Sequence, residues 1–524
     1  MKARLILCAT AVLLMFALSV TGCGKGNKPS ENTVRVIVFD RGTDGGRTNP
    51  TNNAWTQWIQ EKVRKDLGLE IVFEQVSRWD EEQAQVTLMA AGNPPDLMMT
   101  WNYSNALIWG EQGGLFDMAP YVDEYLQDVR EFLGPDPSLP GRELIFRNQN
   151  KQTGQLFFVP MKRANTARIN TFMRKDWLDA LGIPVPKTQD EFFNALVAFR
   201  DRQPGGPGTI PWTMTRDVRW QAGKLIESFI DPNLSTRDRW VNTVVDRHIF
   251  LPGYKEGVRF VNRMYNAGLI DPDFFLYSDD TPINNILSGG RAGAFGHNWD
   301  QVFRTAEGIT TNLQQIVPDA RWIALDAFHS SDGVIRNISY DPAGLAVFIP
   351  RAAKNPIGAM RYLNWLAKFE NYNFLQIGPE GIVHEIVDGL PRVNPTAGDG
   401  WIQNSAWNID LTPLHNGMFL RTEEDTVRAL ALGYPFPEDY VLQAFNAAMN
   451  NAAPGPVVST AQPLVAAGPL GPTLTIQAEG IIINAVIAPE ADFDRVWDEG
   501  IQAWLNAGAQ AILDERAVNF VSPF

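Results

Sequence analysis

The segment from residue 34 to 101 switches between short apolar runs and stretches in which apolar residues recur every three or four positions. The runs VRVIVF, LEIVFEQV and PDLMMTW are typical of β-strands, because they are short and bounded by Gly, Pro or polar residues. AWTQWIQEKVRKDL and the segment from about 80 to 91 have helical spacing, and Gly68 and Gly92 follow them as stop signals. The pattern predicts β-α-β-α-β, a parallel sheet covered by helices.

Residues that directly follow these strands are candidates for a binding site. Asp40 and Arg41 follow the first strand, and Trp101 and Asn102 follow the third. Ligands of open α/β sheets bind beyond the carboxyl ends of the strands. We therefore expect these side chains to lie at a site.

The middle of the chain repeats the alternation of strands and helices. TGQLFFVPMKR and NISYDPAGLAVFIP predict two buried strands. Thr188, with Glu191 three residues later, predicts a capping box at a helix start. ILSGGRAGAFGHNWD predicts a helix end, a Gly-rich turn and a short strand, whose exposed end carries Asn298, Trp299 and Asp300.

The N-terminus has the pattern of a secretory leader. Two basic residues precede an uncharged apolar run from Leu5 to Val20, which is shorter than a membrane span but typical of a signal peptide. Small residues then precede Cys23 in VTGC, which resembles the lipobox of bacterial lipoprotein precursors. The resemblance implies a signal peptide at 1–22, a lipid on Cys23, and a flexible tether over 23–33. An ordinary signal peptide with a chance cysteine is the alternative.

Composition excludes several kinds of chemistry. With Cys8 in the leader and Cys23 lipidated, the folded part has no thiol for disulfides, catalysis or metal binding. The five histidines show no metal-ligand spacing, and neither a GxSxG motif nor a P-loop is present. A formal net charge of −14 argues against a nucleic-acid partner. No cofactor is predicted, whereas a pair of glycosidase carboxylates is compatible with 59 acidic residues.

Sixteen tryptophans are the most informative excess. Tryptophan offers a flat apolar face and one N–H donor, which suits both protein cores and sugar-stacking surfaces. In the amphipathic closing segment, Trp497 and Trp504 share the apolar side and are interpreted as core. The total favours a carbohydrate ligand.

Several segments, taken in chain order, resemble the extracellular solute-binding lipoproteins of ABC sugar importers, of the family 1 type and its large oligosaccharide-binding branch. They are VTGC, AGNPPDLMMTW, GGLFDMAPYVDEY, TGQLFFVPM, RKDWLDALGIPVPKTQDEFFNAL, GPEGIVHEI and EADFDRVWDEGIQAWLNAGAQAILDE. Each motif alone is common. Their order over almost the whole chain makes the resemblance specific.

The resemblance implies an α/β, two-lobed periplasmic-binding-protein-like fold of type II. Each lobe is a mixed or parallel sheet flanked by helices, and the ligand cleft lies between the lobes. The expected lobes are an N-terminal one at 34–160 plus about 345–400, and a C-terminal one at about 161–344 plus about 401–524. Crossovers are expected near 159–163 and 340–345, and a third is unassigned.

One segment departs from the family pattern. Larger relatives often carry an Asp- and Asn-rich calcium loop after the helix that ends here near Arg200. In this chain the segment reads RDRQPGGPGTIPWT, and Asp201 is its one carboxylate. Calcium requires six or more oxygen ligands. We therefore predict no metal at this position.

Sugar recognition requires aromatic faces against C–H surfaces and polar groups at hydroxyls. The stacking candidates are Trp101 and Trp299 at strand ends, then Trp212, Trp220, Trp401 and Trp407. The polar candidates are Arg41, Asn102, Arg163, Asn298, Asp300 and Tyr340. Asp300 has a helix N-cap as its alternative role, and His384 and Glu385 are interpreted as structural. An anionic sugar stays open, because basic residues are available at Arg41, Lys162, Arg163 and Arg168.

The predicted function is that of a non-catalytic, monomeric receptor outside the cytoplasm, anchored to the cell membrane by the lipid on Cys23. It captures an oligosaccharide by lobe closure and delivers it to the transmembrane permease of an ABC transporter. Ligand favours the closed form to the extent that it binds that form better. Two alternatives remain: a surface-anchored glycosidase, and a same-fold receptor for a peptide or another solute. Tryptophans at strand ends count against the second.

Overall fold

The computed structural model describes residues 32–40, 49–394, 401, 411–460 and 464–522, apart from the single positions 246 and 306. Its strands are β1 Thr33–Asp40, β2 Glu70–Ser77, β3 Met98–Thr100, β4 Phe158–Arg163, β5 Ile169–Arg174, β6 Ile210–Trp212, β7 Ala292–Asn298, β8 Trp322–Ala324, β9 Asn337–Ile338, β10 Ala343–Phe348, β11 His384–Val387, β12 Leu390–Val393, β13 His415–Asn416, β14 Ala452–Ala453, β15 Ser459–Thr460 and β16 Phe520–Val521.

Helices cover the sheets and form most of the remaining described chain. They are α1 Ala54–Leu67, α2 Glu81–Ala90, α3 Tyr103–Glu111, α4 Val122–Tyr125, α5 Gln127–Leu133, α6 Lys175–Leu181, α7 Gln189–Arg202, α8 Val218–Gln221, α9 Gly223–Glu227, α10 Thr236–Val241, α11 Tyr254–Asn266, α12 Thr281–Ser288, α13 Ile309–Ile316, α14 Pro356–Leu366, α15 Phe369–Ile377, α16 Glu423–Leu432, α17 Glu438–Met449, α18 Ala467–Ile487, α19 Phe493–Trp504 and α20 Gln510–Asn519.

The first lobe contains the predicted β-α-β-α-β unit. β1 and β2 pair in parallel, and Ile37 donates its N–H to the carbonyl of Leu97 at 3.0 Å, just before β3. β3 also joins a sheet of order β13-β4-β10-β3. Helix α1 begins at an Asn53 capping box and ends at Gly68, whose φ of 70° explains the glycine. The predicted parallel unit is confirmed.

The second lobe has a sheet of order β6-β7-β5-β8, in which β6 and β7 are parallel and the other pairs are antiparallel. The capping box of Thr188 and Glu191 is present at the start of α7, as predicted. Helix α8 lies directly on β7, because a Cβ atom at Gly296 would be 1.8 Å from the carbonyl oxygen of Gln221. That close contact fixes the position of Trp220, the neighbouring residue of α8.

Three clusters of buried residues form the cores of the lobes in the described part of the chain. One, with residues from 34–161 and 343–414, is the first core. The other two, with residues from 167–328 and 431–512, belong to the second lobe. Leu411 and Leu414, which follow the boundary expected near 400, are buried in the first core, and β13 pairs with β4. The third crossing, unassigned from the sequence, therefore follows Asn416.

The C-terminal helices complete the second lobe. Trp497 and Trp504 are buried in its core, as predicted from their helical spacing. Gly508 interrupts the continuous helix that the pattern suggests, with a φ of 125° between α19 and α20. Helix α18 is long and apolar enough to cross a membrane by length and composition alone. Because α18 packs against α11 and α19, we interpret it as a core helix.

Candidate ligand-binding cleft

The three segments that cross between the lobes are hydrogen-bonded to one another. Arg163, at the end of β4, donates its backbone N–H to the carbonyl of Pro342 at 2.8 Å, and Tyr340 donates to the carbonyl of Thr166 at 2.9 Å. Ala164 donates to the carbonyl of Asn416 at 2.8 Å. The crossings at about 164–168, 339–342 and after 416 are therefore one connected unit at the base of the cleft.

Trp101 lies on the first-lobe side of this cleft. It directly follows β3, and its backbone N–H donates to Oε1 of Glu81 at 3.0 Å. The guanidinium carbons of Arg163 and Arg78 lie 5.2 Å and 5.6 Å from its ring centroid. Both distances are within the range of cation–π contacts. The indole thus has two cations within cation–π distance, and its Nε1 is buried without a hydrogen-bond partner among the described residues.

Arg163 connects Trp101 to the second aromatic group. Its guanidinium carbon is 4.9 Å from the ring centroid of Tyr340, and the Tyr340 ring lies 6.4 Å from that of Trp220 with an angle of 34°. The guanidinium carbon of Arg168 lies 5.1 Å from the Trp220 ring. We call this row of cations and aromatic rings the cleft ladder; its members, in order, are Arg78, Trp101, Arg163, Tyr340, Trp220 and Arg168.

Burial shifts the pKa of two residues of the ladder. Burial lowers the pKa of the Arg163 guanidinium and raises the pKa of Tyr340, because desolvation disfavours the charged form of each group. The Nε of Arg163 is buried and has no hydrogen-bond partner among the described residues. Arg163 is therefore a desolvated cation with unused donors.

Arg168 has a partial counter-charge. Its Nη1 lies 3.9 Å from Oε2 of Glu227, and Nδ1 of His248 lies 3.5 Å from the other oxygen of the same carboxylate. Burial raises the pKa of Glu227. The hydrogen bond to His248 and the nearby arginines together lower the pKa by more than burial raises it, so the net shift is downward. Glu227 is thus an anion shared by at least two basic groups.

The side chain of Asn102 forms hydrogen bonds within the first lobe, at the edge of the cleft. Its side-chain oxygen caps α3 by accepting the N–H of Asn105 at 3.1 Å, and its amide donates to Glu82 at 3.1 Å. Glu82 also accepts a hydrogen bond from the Asn105 amide at 2.7 Å. These bonds position the turn that carries Trp101.

Two of the predicted stacking residues belong to the core, so their prediction is wrong. Trp212 is 0% exposed and packs edge-on against Phe192. Trp299 is 3% exposed and packs edge-on against Tyr434 and Phe445. Both rings are therefore enclosed by the second lobe: Phe192 of α7 packs on Trp212, and Phe445 of α17 packs on Trp299 at the end of β7.

Asp300 is also unavailable to a ligand. Its two carboxylate oxygens accept hydrogen bonds from Arg304 at 3.0 Å and 2.8 Å, and Tyr434 donates its hydroxyl to the same carboxylate at 2.7 Å. The predicted ligand role is replaced by this internal ion pair. Asp300 does occupy the N-cap position of the short 3-10 helix Gln301–Phe303, as the alternative expected, but its side chain makes no capping hydrogen bond there.

The remaining candidates make no side-chain contact with the ladder among the described residues, or they fall outside those residues. Asn298 ends β7 opposite Ile169 and is half-buried. Trp401 packs edge-on against Trp55 and Phe374 of the first lobe, with ring centroids 4.9 Å and 5.7 Å away. Arg41, Trp407 and Cys23 fall outside the described residues.

One ladder residue was missed from the sequence. Arg78 directly follows β2, so the rule that singled out Trp101 after β3 also applies to it. Its guanidinium lies between the rings of Trp101 and Phe39.

Among the described residues, no group of three or more His, Cys, Asp or Glu side chains could hold a metal ion. In the segment where relatives carry a calcium loop, Asp201 accepts a hydrogen bond from Nε of Arg200 at 2.7 Å. The absence of calcium stays a prediction.

Two α/β lobes, three crossings and an aromatic row between them define a solute-binding protein. The sequence profile of the bacterial extracellular solute-binding proteins matches residues 48–371, and the chain belongs to this family. The predicted family and two-lobed fold class are confirmed. The chain lies, with its family, outside the cytoplasm.

Curated relatives match in part of their length. The fructooligosaccharide ABC transporter substrate-binding protein FusA of Streptococcus pneumoniae is 22% identical over 264 residues, which is 46% of each chain. The polygalacturonan/rhamnogalacturonan-binding protein YtcQ of Bacillus subtilis is 20% identical over 282 residues, or 50% of this chain and 54% of YtcQ. The match thus spans about half the length of these relatives.

Solved structures match over nearly the whole chain. FusA in complex with kestose superimposes with a TM-score of 0.64 at 14% identity, covering 93% of this chain and 98% of FusA. The alginate-binding protein AlgQ2 gives a TM-score of 0.63 at 16% identity, covering 93% and 97%. These similarities establish the fold.

Proposed function

We propose that this protein is the ligand-binding component of an ABC importer and that it captures an oligosaccharide in the cleft ladder. The observation that carries the proposal is the contact chain from Trp101 in the first lobe, through Arg163, to Tyr340 and Trp220 on the second side. Aromatic rings on both sides of a cleft are suited to sugar C–H faces. The relatives named for fructooligosaccharide and for polygalacturonan/rhamnogalacturonan support the same ligand class.

Binding across the crossings couples capture to closure. A ligand that touches Trp101 and Trp220 together contacts both lobes. It favours the closed arrangement by the difference between its affinities for the closed and open forms. Delivery to a membrane permease then requires the closed form to be the one that the permease recognises.

The test is a thermal-shift and tryptophan-fluorescence screen of the purified protein against neutral and acidic oligosaccharides. A ligand at about one hundred times its Kd adds about 2.7 kcal/mol of stability, which raises Tm by several degrees. Trp101→Ala and Trp220→Ala should lose the shift. Trp109→Ala is the matched control, because Trp109 lines a separate groove of the first lobe beside Pro350.

The same incubations test the non-catalytic role. Each sugar is recovered after overnight incubation and its chain length measured. Intact sugar supports a receptor, whereas shortened sugar would establish a glycosidase.

Anchoring and oligomeric state are separate parts of the proposal. Lipid at Cys23 predicts that the wild-type protein sediments with membranes and that Cys23→Ala releases it. Sedimentation of the released protein should give the mass of a monomer.

A further inference from the structure

Arg163 is the arginine of the cleft ladder that forms no ion pair within the described part of the chain. Trp101 and Tyr340 lie against its guanidinium, and its Nε is buried without a hydrogen-bond partner from that part of the chain. Among the described residues, no carboxylate lies within 4.0 Å of this guanidinium. An arginine in this setting offers its edges, with parallel N–H donors, to an incoming group.

The carboxylate that acts electrostatically on Arg163 already accepts hydrogen bonds from other groups. Asp341 contributes to the electrostatic environment of Arg163, but its Oδ1 accepts hydrogen bonds from Arg147 and from the backbone N–H of Ala343. Arg147 is also bonded to Asp136. Asp341 therefore offsets part of the Arg163 charge at a distance and fills none of its donor sites.

A second cation lies on the other side of Tyr340. Arg168 and His248 both lie near the carboxylate of Glu227, and Nη1 of Arg168 is 3.9 Å from its Oε2. The charge of Arg219 also acts on Glu227. The Nε of Arg219 is buried and has no hydrogen-bond partner among the described residues. Glu227 thus serves several basic groups and leaves Arg168 only partly compensated, in a protein whose formal net charge is −14.

The geometry points to an acidic oligosaccharide as the ligand of the cleft ladder, with a uronate carboxylate bound to Arg163 and sugar rings against Trp101 and Trp220. This assignment rests on the proposed function. A neutral sugar would cover Arg163 without supplying a counter-charge, and an unpaired cation removed from water is strongly unfavourable. A carboxylate supplies both the charge and two acceptors in the plane of the guanidinium.

The experiment is isothermal titration of the purified protein with four probes of similar length. They are tetragalacturonate, its full methyl ester, an oligomannuronate and neutral maltotetraose. Tetraglutamate serves as an acidic non-sugar. We expect one of the two free acids to bind at least tenfold more tightly than the ester and maltotetraose, and we expect its affinity to fall with added salt.

Variants separate the charge from the aromatic contacts. Arg163→Gln should reduce affinity for the acid at least tenfold and leave weak binding of the ester within threefold. Arg163→Lys, which keeps the charge but loses the planar fork, should recover part of the loss. Arg351→Gln is the matched control: it removes the same charge from an exposed arginine beyond the opposite end of β10, and it should bind like the wild type.

Each outcome tests the acidic ligand, the sugar receptor, or both. Equal affinity for acid and ester, or binding of maltotetraose alone, would overturn the acidic ligand and leave the sugar receptor standing. Tighter binding of tetraglutamate than of any sugar would overturn both. A folded protein that binds none of the sugars would also overturn both, and thermal melts of each variant establish that it is folded.

Discussion

Ala164 donates its backbone N–H to the carbonyl oxygen of Asn416 at 2.8 Å, and this bond joins the first interlobe crossing to the third. The next residue, Gly417, has a φ of 99° and would bring an added Cβ to 3.0 Å from the Cβ of Ala164. The two crossings therefore approach closely where a side chain is excluded. Any movement of one lobe relative to the other therefore has to deform these hydrogen-bonded crossings.

Gly417→Ala should lower the free energy of unfolding by about 2 kcal/mol, because the residue is forced into a left-handed conformation beside a close neighbour. Chemical denaturation measures the change. Gly333→Ala is the matched control: its φ is 77°, and nothing lies within 4 Å of an added Cβ. If both variants lose the same stability, the approach of the two crossings adds no cost beyond backbone strain.

Trp101→Ala and Trp299→Ala should separate binding from folding. Trp299 is buried on all sides, so its removal should cost about 3–5 kcal/mol of unfolding free energy. Trp101→Ala should cost less unfolding free energy than Trp299→Ala. It should lower the affinity for the oligosaccharide about tenfold, which is about 1.4 kcal/mol of binding free energy. Denaturant melts and titration calorimetry on the same preparations measure the two effects. A Trp299→Ala variant that stays stable but loses the ligand would return that residue to the site.

The local pattern of apolar and polar residues was sufficient to predict the first helices and strands of the first lobe. The apolar period of α1 and its terminal Gly68 are set within about fifteen residues, and β1, α1 and β2 form where the pattern predicts. The capping box at Thr188 is equally local. Interactions within one element are readable from the chain that forms it.

The site was less predictable, because contacts distant in sequence decide which strand ends stay open. Trp101 and Trp299 both follow strands, but Phe445 on α17 covers Trp299. Trp220 reaches the cleft because Gly296 lets α8 lie against β7. Nothing near these residues in the sequence carries that information.

Lys224 should make stability rise with pH above neutrality. Its Nζ is buried and donates to Oδ1 of Asn170 and to the carbonyls of Leu325 and Ala447 at 3.0–3.2 Å. Burial lowers its pKa to about 7, so between pH 7 and 9 the folded protein releases a proton that the unfolded chain keeps. The unfolding free energy should then increase by about 2 kcal/mol.

Denaturant melts at pH 7 and pH 9 measure this increase. Lys224→Met should be less stable at pH 7, because three acceptors lose their donor, and should lack the increase between the two pH values. Parallel pH profiles for wild type and Lys224→Met would show that Lys224 keeps its proton throughout.

His415 should make the protein sensitive to acid at the third crossing. Its ring is fully buried, with the rings of Phe132 and Tyr372 5.9 Å and 5.4 Å away. Burial lowers its pKa to about 3, more than the backbone of Gly417 raises it. The folded state keeps the imidazole neutral while the unfolded chain binds a proton below about pH 6.5.

The stability that neutral His415 contributes is present above pH 6.5 and is lost as the pH falls towards 3. Between pH 7 and pH 5 the loss should be about 2 kcal/mol of unfolding free energy, since the unfolded state gains the proton. His415→Phe keeps an aromatic ring between Phe132 and Tyr372 and removes the titrating group, so its stability should change less over this range. Urea melts at the two pH values measure the difference between the proteins. An equally steep loss in His415→Phe would assign the acid sensitivity to other groups.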